Sequence, residues 1–214
     1  MIKLHKLPEP DLLKNNKAEW TARYNNYINK GQPIPDSLKY KYREPQIKQR
    51  ILEETHEKCA YCESKVTHVY PGDIEHIAPR SKKHELAFEW SNLTLSCLEC
   101  NRKKSDYYDQ DLPLINPYND EPADHFFFAG PMIFHKSGSE RGRLTRTRLA
   151  FNRPALIQRR QERLENVVNL RDLWGMCDDG SAKEALFNEL KSEAQEDKEY
   201  SYMVHMFLRL NDVI

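Results

Sequence analysis

Two C-x-x-C pairs, Cys59/Cys62 and Cys97/Cys100, bracket a stretch in which the other chemically capable residues also collect. Between the pairs stand Glu75-His76, Pro79 and Asn92, and directly after the last cysteine comes Asn101-Arg102-Lys103-Lys104. Each C-x-x-C turn points two thiolates at one ion, and two such knuckles complete a tetrahedral sulfur shell that suits zinc. The gap between the pairs exceeds the roughly 15–20 residues of a simple ribbon. A hairpin is therefore expected between the knuckles, with zinc holding its two ends together. An imidazole that titrates near neutrality is a suitable general base. Carboxylate and amide oxygens suit a hard divalent ion.

The elements that must position these residues are less sharply marked. Val66, Val69, Tyr70, Ile74 and Ile77, interrupted by Pro71-Gly72, predict two short strands around a turn. The run after Cys97 is compatible with a helix. Adjacent residues of a regular strand face opposite ways, so Glu75 and His76 can serve one substrate only where their strand ends or bulges. Pro79 supports an ending strand. Asp73 shares a strand face with Glu75 and is a further candidate acidic contact.

The order of knuckle, hairpin, loop, knuckle and helix resembles the HNH endonucleases. The residues that carry the resemblance are Cys59-x-x-Cys62, Glu75-His76-Ile77-x-Pro79, Trp90-x-Asn92-Leu93 and Cys97-x-x-Cys100-Asn101-Arg102-x-Lys104. Within that superfamily, IEHxxPRSK and FEWSNLTLSCLECNRKKSD are most similar to the PtuB nucleases of Septu anti-phage systems. The flanking KLPEPDLL, LINPYNDEP and RLAFNRPALIQRR agree with that likeness. The resemblance implies a ββα-metal core, DNA as substrate, His76 as the base that activates water, and Asn92 as the group that orients it. Glu75 and Asn101 become the implied ligands of Mg²⁺ or Mn²⁺. The resemblance also implies a partner, the SMC-like ATPase PtuA. Glu75 stands where aspartate is more usual and Asn101 where a histidine is common, which favours Mg²⁺ or Mn²⁺ over softer ions. A stand-alone restriction-type nuclease and a zinc-knuckle DNA-binding module without catalysis are the alternative functions. The intact Glu75-His76, Asn92 and Asn101 set argues against the latter.

The fold class expected is α+β, with the ββα-metal core and its zinc knuckles embedded in a mostly helical chain. Residues 1–44 are expected to form an N-terminal arm with one helix, 45–110 the nuclease core and 111–214 a mostly helical C-terminal region. Leu13, Trp20, Tyr24, Tyr27 and Ile28 recur at helical spacing in the arm. The arm either packs on its own core or contacts a partner. Pro45 opens a second helix that leads to Cys59. His125–Phe128 and Met132–His135 are expected as two short strands around Gly130-Pro131, and Asn152-Arg153-Pro154 starts a long amphipathic helix. Ser181 is a candidate helix cap, and Cys177 reads as a buried thiol.

Acidic and basic residues balance at 33 each in 214, so any attraction for nucleic acid must come from local clusters. Arg102 and Lys104 beside the core, with Arg141, Arg143, Arg146 and Arg148 further on, are the candidate phosphate contacts. Arg153, Arg159, Arg160 and Arg163 extend the run. A solvated helix face paired with Glu140, Glu162 and Glu165 is the competing use of these arginines. No apolar run approaches the ~18 residues of a membrane span. Zinc-type cysteines without a secretory start predict a reducing cytoplasm, and disulfides are disfavoured on the same ground.

Overall fold

The computed structural model describes every residue of the chain except 68 and 69. The helices in chain order are α1 (Asp11–Asn29), α2 (Asp36–Lys39), α3 (Pro45–Thr55), α4 (Leu98–Lys104), α5 (Pro122–His125), α6 (Glu140–Arg148), α7 (Pro154–Met176), α8 (Gly180–Glu193) and α9 (Ser201–Leu210). Two antiparallel ribbons accompany them, β1 (Asp73–His76) with β2 (Leu93–Ser96), and β3 (Phe126–Ala129) with β4 (Met132–His135). The expected α+β class, with a small sheet in a mostly helical chain, is what the chain adopts.

One local expectation is corrected. Among the described residues, β1 pairs with no strand on the other side of Pro71-Gly72. The partner of β1 is β2, in the register Ile74↔Leu95 and His76↔Leu93, so the two strands are joined by the long loop 77–92. Val69, counted into the expected first strand, lies outside the described residues. Pro71-Gly72 instead turns the chain into β1. Gly72 has φ +72°, and a Cβ there would come within 2.8 Å of Leu95 Cδ1, so glycine is required. All four residues of β2 are buried, because α3 covers one face while the first knuckle donates from Ala60 N to Leu95 O at 2.9 Å. A strand enclosed on both sides carries no polar alternation.

The N-terminal segment closes over the loop 77–92. Trp20 and Tyr24 of α1 are buried, and each meets the Phe88 ring edge-on at 5.6 Å. The indole of Trp90 donates to Leu7 O at 2.8 Å. Lys6 bonds Leu93 O and Glu54 and lies over the Trp90 ring at 4.4 Å. The aromatic side chains of the arm that are buried are thus engaged within the chain itself.

Pro154 holds Arg153 extended (ψ 144°) and starts α7 where the sequence indicates. β3 and β4 form the expected ribbon, with Gly130 at φ +58° in its turn. Tyr202 of α9 donates to Phe126 O at 2.9 Å and ties the last helix to it. Helix α8 is capped by Asp179, which accepts from Ala182 N at 2.8 Å, in place of the expected Ser181. Cys177 is half-buried rather than enclosed, since it follows the exposed end of α7. Among the described residues no helix is long and apolar enough to cross a membrane.

Candidate active site and metal centre

The four cysteines converge. Their sulfurs all lie within 4.8 Å of one another, and Cys62 and Cys97 Sγ are 3.8 Å apart. Sulfurs ~2.3 Å from a tetrahedral zinc stand ~3.8 Å apart, so the cluster fits that ion. Cys59, Cys62 and Cys100 are fully buried. Cys97 also caps α4, accepting from Cys100 N at 3.4 Å. The cysteine knuckles therefore hold both the start of the core and the junction of β2 with α4.

His76 ends β1, as the Glu-His pair requires, and is 6% exposed. Its Nε2 is 2.9 Å from the carbonyl of Ala87, which accepts only, so this nitrogen carries the proton and Nδ1 keeps its lone pair. Tyr42 packs edge-on against the imidazole at 4.6 Å. Burial drives the His76 pKa down to about 3, and nearby Arg80, Lys104 and Arg43 add to the effect against the Ala87 hydrogen bond. Burial thus favours the neutral ring and at the same time makes it a weaker base than a free imidazole, while Nδ1 stays outside the Ala87 hydrogen bond.

The Asn92 side chain makes no hydrogen bond to His76. Its Oδ1 accepts from Ala78 N at 2.7 Å, and its Nδ2 donates to Ala78 O and Leu86 O, both at 3.0 Å. It staples the two ends of the loop and fixes the residue before Ala87. The route from the arm to the site runs through the same place, because Phe88, gripped by Trp20 and Tyr24, follows Ala87. Asn92→Ala removes three bonds and leaves Ala78 N and Ala78 O without that partner, at ~1–3 kcal/mol for each group left buried and unpaired, while Leu86 O keeps the Glu89 N–H at 3.3 Å. We expect a lowered melting temperature and a tenfold or greater loss of cleavage rate with zinc retained, read by thermal unfolding, metal analysis and a cleavage assay. A variant with wild-type melting and rate would remove Asn92 from the positioning role.

Glu75 and His76 open on one cleft of about 310 Å³, lined also by Tyr42, Arg43, Asp73, Arg80 and Asn101. Glu75 is 7% exposed, and burial raises its pKa while Lys104 opposes the rise. The Lys104 ammonium lies 2.7 Å from Glu75 Oε1 and donates to His76 O at 2.9 Å. Asn101 Nδ2 donates to Asp73 Oδ2 at 2.9 Å. Asp73, Glu75 and Asn101 thus bring oxygen donors from β1 and α4 to one wall, a set suited to a hard divalent cation.

Comparison with known proteins bears on this arrangement. Residues 59–107 match the family model described as HNH endonuclease. The matched stretch holds both knuckles, β1, β2 and α4. In its sequence that stretch is similar to HNH domains. The chain is also similar to two proteins named Septu protein PtuB. One, from Bacillus thuringiensis, is 31% identical over 58% of this chain and 45% of its own length. The other, from Bacillus mycoides (strain KBAB4), is 25% identical over 75% of this chain and 66% of its own length. The chain thus spans between about half and two thirds of these curated relatives.

Around the matched stretch, the basic residues singled out in the sequence divide. Lys104 is corrected: it is 2% exposed and engaged by Glu75, so its ammonium is not at the surface. Arg141 is corrected as well. Its guanidinium bonds both carboxylate oxygens of Asp120 and the carbonyls of Pro113 and Leu114, which makes it a brace for the segment after the matched stretch. Arg102 and Arg143 are exposed, each beside a glutamate of its own helix turn, Glu99 and Glu140. Arg148 is exposed over the Tyr107 ring at 5.1 Å, and Arg146 is half-buried. Sequence reasoning missed Tyr42, Arg43 and Arg80. Arg80 follows Pro79 within the motif and was open to notice. Tyr42 and Arg43 reach the cleft through a 3₁₀ turn, Lys41–Arg43, that no local pattern announces.

Proposed function

We propose that this chain is a metal-dependent endonuclease that hydrolyses phosphodiester bonds of DNA. The observation that carries the proposal is the His76 imidazole, with Nε2 held 2.9 Å from the Ala87 carbonyl, in a cleft shared with Asp73, Glu75 and Asn101. Nδ1 of His76 accepts the proton of the attacking water, and the Ala87 carbonyl steadies the imidazolium that forms. Glu75 and Asn101, with Asp73 beside them, would hold Mg²⁺ or Mn²⁺, and such an ion would supply positive charge against the negative charge of phosphodiester hydrolysis. Arg43 and Arg80 supply fixed positive charge where the phosphate enters. Arg102, Arg143, Arg146 and Arg148 bind the flanking backbone. The likeness to Septu proteins supports a role in anti-phage defence, with an SMC-like ATPase, PtuA, as the partner that controls cleavage.

The test is plasmid cleavage across a Mg²⁺ titration. Glu75→Ala and Asn101→Ala are expected to raise the half-saturating Mg²⁺ concentration by about 10–100-fold, the scale for a weakened metal site, and to recover rate in excess metal. Metal dependence identical to wild type in both variants would reject these residues as ligands.

A further inference from the structure

A cation from outside residues 59–107 lies against the cysteine cluster. Arg153 sits where the chain enters α7, and its guanidinium spans three of the four sulfurs. Nη1 is 3.9 Å from Cys100 Sγ, while Nη2 is 3.7 Å from Cys62 Sγ and 3.9 Å from Cys97 Sγ. Four thiolates on one Zn²⁺ carry a net charge of about −2, and a buried charge of that size is costly unless met by a partner. A planar fork of N–H donors is the side chain best shaped to meet several sulfurs at once.

The same corner is built to hold Arg153 in place. Phe151, two residues earlier, is fully buried against Phe126, and its carbonyl accepts from the buried Arg160 of α7 at 2.8 Å. Arg160 lies between the Phe128 and Tyr200 rings. Tyr200 OH in turn bonds Ser64 Oγ at 2.9 Å, and Ser64 Oγ is 3.3 Å from Cys62 Sγ. The first knuckle is therefore tied both to the start of α7 and to the start of α9.

We propose that Arg153 is an outer-sphere positioning residue of the metal centre, and that through it metal binding fastens the C-terminal helices onto residues 59–107. This rests on the zinc reading of the four cysteines. The guanidinium stabilises the thiolates and so strengthens metal binding. By linkage, the loaded cluster stabilises the docked position of α7 to the same extent.

The experiment is competition for zinc between the purified holoprotein and a chromogenic chelator. Arg153→Gln is expected to release zinc about 10–100-fold more readily, the usual effect of losing a group that supports a metal ligand. Arg153→Lys keeps the charge but cannot span three sulfurs, so it should fall between Arg153→Gln and wild type. Arg159→Gln alters an exposed arginine paired with Glu162 and Glu199 and should match wild type. An Arg153→Gln protein that holds zinc as tightly as wild type overturns the proposal. Hydrogen exchange on the wild-type protein decides the matter if that variant does not fold. Stripping zinc should speed exchange across residues 149–160, and unchanged protection there overturns the coupling. A wild-type preparation that folds without zinc overturns the zinc reading itself, an outcome distinct from tight zinc retention by Arg153→Gln.

Discussion

His76→Ala is expected to slow plasmid cleavage by about 10²–10⁴-fold at saturating Mg²⁺, the range for losing a general base. The loss should appear in the maximal rate, and added metal should not restore it, because the oxygen donors of Asp73, Glu75 and Asn101 remain. Zinc content should stay at about one per chain, since none of the cysteines bonds the imidazole. Some stability will go as well. The Ala87 carbonyl loses its donor, at about 1–3 kcal/mol for a buried group left unpaired, and Tyr42 loses the ring it packs against at 4.6 Å. A melting curve therefore belongs beside the rate, and cleavage is compared well below the variant's transition. DNA affinity should change little, because non-specific binding comes mainly from cation–phosphate contacts, and Arg102, Arg143 and Arg148 remain exposed. Cleavage at the wild-type rate would reject His76 as the base and leave a zinc-knuckle DNA-binding module as the better account.

The contrast between Glu75 and Lys104 shows what the sequence could and could not tell. Both were visible as charged residues in a telling motif. Their 2.7 Å pairing was not, because it depends on α4 lying across β1. Arg141 and Asp120 repeat the point: a basic residue in an arginine-rich run looks like a phosphate contact until its own carboxylate partner is found in space. The cysteine pairs were legible because metal geometry fixes their spacing. Helices α3 and α7 were legible because Pro45 and Pro154 mark their starts, and α1 because Leu13, Trp20 and Tyr24 recur at helical spacing. The β1–β2 pairing was not, since a turn signal at Pro71-Gly72 says where the chain bends but not which distant segment completes the sheet. Leu93–Ser96, buried on both faces, lacks the alternation that would have named it. The arm is a similar case. Its helical spacing was clear, yet only the folded chain shows Trp20 and Tyr24 gripping Phe88, one residue from the carbonyl that sets the His76 tautomer.

Cys97→Ser should act on the fold rather than on the rate alone. Cys97 has two duties, as a member of the sulfur cluster and as the cap of α4, and it lies at the point where β2 gives way to that helix. Serine can still cap a helix, so the substitution isolates the loss of a zinc ligand. Structural zinc sites contribute ~10–16 kcal/mol of apparent binding free energy in small peptides, against a total stability of ~5–15 kcal/mol for a typical domain. Even a partial loss of that binding is large enough to unfold the core. The first knuckle would be freed with it, and with that knuckle the Ala60–Leu95 bond that joins it to β2. Glu75, His76 and Asn101 depend on β1 and α4 for their positions, so no rescue of cleavage by Mg²⁺ is expected. The variant should be recovered with substoichiometric zinc and either fail to accumulate or melt without a cooperative transition. Chelation of wild-type protein should produce the same state, and returning zinc should reverse it. A Cys97→Ser protein that carries no zinc yet unfolds cooperatively at the wild-type temperature would show that the cluster does not hold this fold together.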